Sequence, residues 1–295
     1  MYKCIQKYTV ETSEATLLNF LLEKLSGWSH SKIKRMLVNG CIFVNDKSIT
    51  QFDYLLPLNA IVKVCQKDHS ALNSPYVRIV YEDRWLLVIE KREGILSMAT
   101  NHKSFCVKTI LDDYLKQKKE CKKAHVVHRL DRETSGLMVY AKDKETEMLF
   151  EEHWHEMVYD RRYIAILQGV LSQSEGTQTS WLKENKSFFV YSSPKQNDGK
   201  LAITHYHVVR SSDKYTLTEL KLETGRKNQI RVHMQDLGHP VIGDLKYGAT
   251  ENPIGRLALH AFRLYFYHPV TKQKMEFETG IPSAFTKLFR IKKHS

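Results

Sequence analysis

The chain has 295 residues, of which 42% are hydrophobic and 26% are charged, with 45 Lys and Arg against 33 Asp and Glu. This length predicts about two domains and a sizeable core, and the composition excludes a disordered acidic chain. The formal net charge of +12 favours a polyanionic partner, either a nucleic acid or an anionic membrane surface.

The N-terminal residues contain no apolar signal-peptide core, and apolar runs elsewhere are far shorter than the ~20 residues that a membrane span requires. The five cysteines are widely spaced, with no Cys-x-x-Cys pair, which argues against a disulfide scaffold and a zinc knuckle. We expect a cytoplasmic protein with reduced thiols and no membrane association, and we expect a monomer.

Residues 1–68 are predicted to form a small α/β domain. The predicted elements are helices that open at residues 13–16 and at Ser29 or Ser31, followed by strands over 41–44 and 60–64. The second helix combines an apolar stripe with three cations, Lys32, Lys34 and Arg35. A polar stretch over 69–75 is expected to be a linker.

The second helix and the strand after it have the sequence S-K-I-K-R-M-L-V-N-G-C-I-F-V-N. This segment resembles the S-four-like RNA-binding domain, and the resemblance implies that Lys32, Lys34 and Arg35 bind RNA. One departure is visible, since Leu58-Asn59 stands where that domain commonly has Gly-Asp. A basic, solvated helix in an ordinary small domain is the alternative interpretation.

From residue 76 onward, helices and strands follow one another without the regular alternation of a parallel fold. We therefore expect an α+β domain over 76–295 with a mixed, mostly antiparallel sheet. The predicted helices cover 104–115, 143–157 and 228–237. The predicted strands cover 77–80 and 86–89 as a hairpin, then 137–141, 162–167, 187–191, 202–209 and 215–222.

A polar turn over 128–137 places Asp131 between two arginines, Arg129 and Arg132. Nearby cations should keep the carboxylate ionised and its pKa low. Such a group, on a loop that enters a strand, is a candidate nucleophile or base. An exposed Arg/Asp turn that contributes less than about 1 kcal/mol is an equally good interpretation of the local sequence.

Other kinds of site find little support. The chain has no P-loop and no G-x-G-x-x-G fingerprint, and its histidines lack the spacing of a metal site. Asp131 and Glu133 could be the paired carboxylates of a glycoside-processing enzyme. Residues two apart point to opposite faces of an extended chain, however, so this pair is not expected to converge.

The segment H-R-L-D-R-E-T-S-G-L-M-V-Y-A-K closely resembles the signature of the RluA-type family of RNA pseudouridine synthases. Further similar segments follow in the family's order: R-R-Y-I-A-I-L-Q-G, G-K-L-A-I-T-H-Y, L-E-T-G-R-K-N-Q-I-R-V-H-M, L-G-H-P-V-I-G-D-L-K-Y-G and R-L-A-L-H-A. The opening hairpin, V-Y-E-D-R-W-L-L-V-I-E-K, also fits. An N-terminal S-four-like domain is a common companion in this family.

The resemblance implies an isomerase that converts uridine in RNA to pseudouridine without a cofactor or metal. It assigns Asp131 as the catalytic aspartate and Tyr163 as the tyrosine that packs on the uracil. It implies that Arg231 pairs with the catalytic carboxylate and that Arg129 holds the flipped-out nucleotide. Without the family resemblance, we would interpret Tyr163 as a core tyrosine and Arg231 as a partner in a structural salt bridge.

Two departures from the family pattern are Lys91-Arg92, in place of Lys-Pro, and Asn228, in place of His. Neither is expected to touch the four site residues of this domain. The family acts on ribosomal and transfer RNAs, and the extra domain favours large-subunit ribosomal RNA. The alternative is an RNA-binding ribosome-assembly factor with a vestigial catalytic site.

Positive charge is concentrated in two segments, residues 116–125 with five Lys and one Glu, and residues 281–295 with four basic and no acidic residues. Residues 1–68 carry nine basic and six acidic residues. We expect phosphate contacts across both domains, with an RNA affinity that falls as salt rises.

Overall fold

The computed structural model describes residues 2–11, 15–67, 72–99, 105–118, 120, 123–196 and 198–289. The chain divides into two compact units, Met1–Ala71 and Leu72–Ser295. Parts of three predicted features lie outside the described residues: the linker, the basic run around Cys121, and the basic C-terminal tail. None of the helices in the described ranges has the length and apolar character that crossing a membrane requires.

The first unit packs two helices on a small antiparallel sheet. Its elements are β1 (Tyr2–Thr9), α1 (Leu17–Lys24), α2 (His30–Val38), β2 (Ile42–Val44), β3 (Lys47–Ser48) and β4 (Ile61–Lys67), with strand order β1-β4-β2-β3. Thr16 and Ser29 cap the two helices, since their hydroxyls accept from backbone N–H groups in the first turns. The apolar stripe of each helix, which includes Leu17, Leu21, Ile33 and Leu37, is buried against the sheet.

The second unit contains the remaining elements. They are β5 (Val77–Glu82), β6 (Leu86–Lys91), α3 (Val107–Gln117), β7 (His125–Val126), β8 (Ser135–Ala141), α4 (Lys144–Met157), β9 (Val158–Gln168), β10 (Glu175–Glu184), β11 (Val190–Ser193), β12 (Lys200–Ser211), β13 (Tyr215–Leu222), α5 (Gln229–Asp236), a 3₁₀ turn (Leu245–Tyr247), β14 (Leu259–Tyr267), β15 (Lys274–Glu278) and α6 (Ser283–Lys287).

One large mixed sheet organises this unit. Its strand order is β11-β10-β12-β13-β9-β14-β8-β6-β5, with β7 paired to β8 and β15 paired to β14. In the described residues only β8 and β14 are parallel neighbours. In the centre, alternate residues of β6 and β8 enter different core clusters, such as Leu87 and Met138 in one and Val88 and Val139 in the other. Both faces are therefore buried there, which makes the centre of the sheet a rigid base.

The α+β class with a mostly antiparallel sheet is confirmed. The strand predicted over 187–191 is present but begins later, at Val190, because residues 185–189 form a turn that is organised by Asn185. The sequence did not predict β1, β10, β14 or β15. The exposed half of β10 is polar, so this strand shows no apolar alternation over its full length.

Candidate active site

The Asp131 loop connects β7 to β8 and is fixed by backbone hydrogen bonds. Within it, the N–H of Thr134 donates to the Asp131 carbonyl at 3.1 Å. On its other side, the N–H of Gly94 donates to the Arg132 carbonyl at 2.9 Å. The loop therefore runs directly into a buried strand, which restricts the position of the Asp131 side chain.

A buried lysine at the end of β6 donates a hydrogen bond to the backbone of this loop. Lys91 is 0% exposed, and its ammonium donates to the carbonyls of Arg92, Ile95 and Arg132 at 2.8–3.0 Å. Burial lowers the pKa of Lys91 to about 8, although nearby acidic side chains oppose this shift. This chain has Lys91-Arg92 where the family pattern has Lys-Pro. The lysine nevertheless contacts the backbone next to Asp131.

The sheet brings Tyr163 beside this loop, because only β14 separates β8 from β9. Gly136 at the start of β8 lies opposite Ala261 of β14, and Ala261 lies opposite Tyr163 of β9. Tyr163 is 5% exposed, and burial raises its pKa; the charge of Arg161 opposes this shift, and the charge of Asp131 adds to it. The phenol is therefore neutral at physiological pH, when it can donate or accept a hydrogen bond.

Arg231 projects from the first turn of α5 and is held by a second carboxylate. Its Nε and Nη2 donate to the two carboxylate oxygens of buried Asp244 at 2.6 and 2.7 Å. Its Nη1 donates to Asn228 at 3.1 Å, and its guanidinium lies 4.7 Å from the ring centroid of Tyr247. The expectation that Asn228 touches no site residue is therefore wrong, because the amide helps to orient Arg231.

Arg231 approaches Asp131 through Nη1, the nitrogen that does not bind Asp244. Arg231 Nη1 lies 3.7 Å from Asp131 Oδ2, which forms an ion pair that is longer than a hydrogen bond. In the described part of the chain, no donor lies within hydrogen-bonding distance of the Asp131 carboxylate. The predicted pairing of Arg231 with Asp131 is thus present as an electrostatic contact, while Asp244 fixes the arginine.

The expectation of a low pKa for Asp131 is wrong. Burial in the cleft raises the pKa of this carboxyl, and the charges of Arg231, Arg129 and Lys227 only partly oppose the shift. Arg132 does not flank the carboxylate, since its Nε donates to the Gly94 carbonyl at 3.1 Å. The local sequence correctly predicted Arg129 as a neighbouring charge. It could not predict the burial of the carboxyl, because burial is a property of the fold.

The site residues line an open cleft of about 380 Å³, a volume that includes solvent space at its mouth. Arg129, Asp131, Tyr163 and Arg231 all belong to its lining, and Arg129 is exposed. A larger, adjoining cleft shares Arg129, Asp131 and Arg226 and adds Arg161 and Lys227 among its lining residues. Glu133 is exposed, pairs with Arg132 at 3.6 Å and lines neither cleft, so it forms no convergent pair with Asp131.

The three cations of the first unit, Lys32, Lys34 and Arg35, are exposed on α2. Lys32 Nζ lies 3.5 Å from the ring centroid of Trp28.

In the second unit, sequence analysis missed Asp244, Tyr247, Arg226 and Lys227. The G-D-L-K-Y-G segment contributes to the family resemblance, but nothing in its local pattern shows that Asp244 faces Arg231. Among the described residues, no group of three or more His, Cys, Asp or Glu is arranged to hold a metal ion.

The fold and this geometry define an α+β enzyme with one partly buried carboxylate, Asp131, in an open, cationic cleft. The family model described as RNA pseudouridylate synthase matches residues 85–236. The chain is 33% identical over 213 residues to the dual-specificity RNA pseudouridine synthase RluA of Vibrio cholerae, covering 68% of this chain and 82% of the relative. It is 30% identical over 289 residues to the ribosomal large subunit pseudouridine synthase D of Neisseria meningitidis, covering 92% and 77%.

Among solved structures, human RNA pseudouridylate synthase domain containing 4 is similar, with a TM-score of 0.59 and 26% identity. The match covers 70% of this chain and 90% of the human one. The chain therefore belongs to the RNA pseudouridylate synthase family, as an RluA-type member. Its members are isomerases that act on RNA.

Proposed function

We propose that this enzyme isomerises specific uridines in large-subunit ribosomal RNA and that Asp131 is its essential carboxylate. The observation that carries the proposal is the convergence of Asp131, Tyr163 and Arg231, with Arg129 beside them, in one cleft. These residues come from three separate segments of the chain: the Asp131 loop, β9 and α5. Their convergence supports a common role in one reaction.

The proposed reaction conserves all atoms of the nucleotide. The bond from N1 of uracil to C1′ of ribose breaks, the base rotates, and C5 forms a new bond to the same C1′ while its proton is released and N1 gains one. Asp131 attacks the sugar, adds to the base or abstracts a sugar proton. Each of these three roles requires an ionised carboxylate with an accessible oxygen.

Each neighbouring side chain has a proposed task. A uridine must leave its base stack before the glycosidic bond becomes accessible, which costs a few kcal/mol. Arg129, exposed beside Asp131, holds the backbone of the flipped nucleotide, and the ring of Tyr163 packs against the uracil. Arg231 stabilises negative charge on Asp131 without hydrogen bonding to it, so that the carboxylate stays reactive.

Two observations support ribosomal RNA as the substrate. A relative that matches 92% of this chain is named for the large ribosomal subunit. The first unit supplies exposed cations on a short helix, as an S-four-like RNA-binding domain would. We extend the proposal to the domain boundaries 1–68, 69–75 and 76–295, and to action as a cytoplasmic monomer.

The catalytic assignment is tested with Asp131→Ala in an assay that detects pseudouridine by nucleoside mass spectrometry. The expected loss is at least about 100-fold in rate, because the essential carboxylate is removed. Glu133→Gln is the matched control, since this carboxyl is two residues away, exposed and outside both clefts. Pseudouridine formation by folded Asp131→Ala at the wild-type rate would refute the assignment.

The substrate assignment is tested by comparing pseudouridine maps of total RNA from a deletion strain and its parent. We expect sites to be lost in large-subunit ribosomal RNA and restored by the wild-type gene but not by Asp131→Asn. Loss confined to transfer RNA would contradict the ribosomal assignment. If the Asp131→Asn gene fully restored the phenotype of the deletion strain, the protein would instead be a ribosome-assembly factor with a vestigial catalytic site. The intact site residues do not favour this alternative.

A further inference from the structure

The turn between β10 and β11 displays an aromatic ring toward solvent. Asn185 organises this turn, because its side-chain oxygen accepts from the N–H groups of Ser187 and Phe189, both at 2.9 Å. Its carbonyl also accepts from the N–H of Phe188 at 3.0 Å. Phe188 is consequently held in a defined conformation, with 71% of its surface exposed.

The backbone of Phe188 is unusual for a large side chain. Its φ of 59° lies in the left-handed region, where glycine and asparagine are favoured and bulky residues are uncommon. Strained residues of this kind are concentrated at functional sites. A phenylalanine that is both strained and exposed contributes little to the core, so its presence points to a role outside folding.

Lys227 connects this ring to the active-site cleft, and Lys246 contacts the backbone of the same residue. Lys227 Nζ lies 5.6 Å from the Phe188 ring centroid, and Lys227 lines the cleft that contains Asp131 and Arg129. Lys227 also forms an ion pair with Glu184 at the end of β10. Lys246 donates to the Phe188 carbonyl at 3.0 Å. The exposed ring is thus flanked by positive charge at the edge of the cleft.

We propose that Phe188 is a stacking platform for an unpaired base of the RNA near the target uridine. Every base has a π-face, so an exposed aromatic ring binds single-stranded nucleotides without requiring a particular sequence. Lys227 and Lys246 then neutralise the phosphates on either side of the stacked base. This inference rests on the proposed function, because the stacked base would hold the RNA in place while the target uridine is flipped out.

The test compares Phe188→Gly, Phe188→Ala and Phe188→Trp with wild type, using an unmodified transcript of large-subunit ribosomal RNA. We expect the alanine and glycine variants to raise the dissociation constant, measured by filter binding, about 5- to 150-fold. The rise in KM should match, with kcat retained at saturating RNA. Glycine accepts a φ of 59° without strain, so Phe188→Gly should keep or increase Tm while it loses affinity.

Phe188→Trp supplies a direct sign of stacking. We expect it to retain affinity and to show quenching of tryptophan fluorescence on RNA addition, beyond the change in wild type. Phe105→Ala is the matched control, since Phe105 is 63% exposed but packs on Tyr76 instead of a cleft lysine. Its affinity for the transcript should equal that of wild type.

Two outcomes would overturn the platform. Unchanged binding by Phe188→Gly would show that the ring makes no contact with RNA, and weakened binding without quenching in Phe188→Trp would show an indirect structural effect. Binding is measured apart from turnover, so wild-type protein that binds the transcript but forms no pseudouridine would count against the proposed function and not against the platform.

Discussion

Asp131 and Arg231 form an incomplete pair, and this incompleteness has a chemical consequence. Asp244 accepts from two nitrogens of the guanidinium, Nε and Nη2, at 2.6 and 2.7 Å, whereas Asp131 lies 3.7 Å from the third nitrogen, Nη1. A tight bidentate contact with Asp131 would lower its pKa and reduce its reactivity. The shared arginine instead stays fixed on Asp244 and provides electrostatic support to a carboxylate whose oxygens remain available to substrate.

The burial of Asp131 predicts a pH-dependent stability effect. Below pH 3.8, its ordinary pKa, the carboxyl is protonated in both the folded and the unfolded chain. Above this pH the unfolded chain ionises first, because the folded-state pKa is raised, so ionisation favours unfolding. Asp131→Asn removes this penalty, and we expect its Tm to exceed the wild-type Tm at pH 7, with a smaller difference as pH falls toward 3.8.

Thermal denaturation of both proteins across this pH range provides the measurement. Glu133→Gln is again the control, because its exposed carboxyl should give no comparable gain in Tm at neutral pH. A variant Asp131→Asn that is less stable than wild type at pH 7 would contradict the burial argument. It would mean that the folded protein stabilises the ionised carboxylate more than water does.

At the scale of elements, the parallel contact between β8 and β14 determines where the active site forms. The two strands approach so closely at Gly136 that an added Cβ would lie 2.2 Å from the Ala261 carbonyl oxygen. The φ of Gly136 is also +124°, which disfavours any residue with a side chain. This close approach aligns the end of the Asp131 loop with Tyr163, across the single intervening strand.

Gly136→Ala is therefore expected to destabilise the second unit by about 3 kcal/mol or more, because backbone strain and overpacking act together. Gly280→Ala is the matched control, since no atom lies within 4 Å of its added Cβ. Urea denaturation followed by circular dichroism measures both effects. Equal midpoints for the two variants would show that β8 and β14 can separate without loss of stability.

At the scale of the whole molecule, positive charge occurs in both compact units. In the first unit it includes Lys32, Lys34 and Arg35 on α2, and in the second it includes Arg129, Arg161, Arg226 and Lys227 around the clefts. A protein that contacts phosphates with many cations releases counterions on binding. Both units should then contribute to the salt dependence of RNA binding.

Replacement of Lys32, Lys34 and Arg35 with Gln tests this contribution. We expect weaker binding of the ribosomal RNA transcript and a slope of log affinity against log salt that is smaller by about 2 to 3. The kcat at saturating RNA should remain unchanged, because the three cations belong to the first unit. Neutralisation of Lys272 and Lys274, which are exposed and line neither active-site cleft, should leave the slope as in wild type. An unchanged slope in the triple variant would remove α2 from the RNA-binding surface.

Sequence alone determined much of this protein. Apolar periodicity and capping residues located most helices, since these signals are local: α1 follows Thr16, and α2 follows Ser29. The segment around Asp131 identified the family through resemblance, and with it the loop that we propose to be catalytic. The polar strand β10 was missed because its exposed half shows no apolar alternation. The turn at 185–189 was predicted in part as a strand because Phe188 and Phe189 have high strand propensity, whereas hydrogen bonds to the Asn185 side chain hold it as a turn.

Only the tertiary structure decided the electrostatics of the site. The arrangement in which Asp244 holds Arg231, 13 residues before it in the chain, depends on how α5 packs against the following loop. The direction of the Asp131 pKa shift reversed the local expectation, because neighbouring charges can be identified from the sequence whereas loss of water requires the folded cleft. The net charge of +12 predicted a polyanionic partner from composition, but its distribution around a carboxylate and an exposed Phe188 follows from the fold.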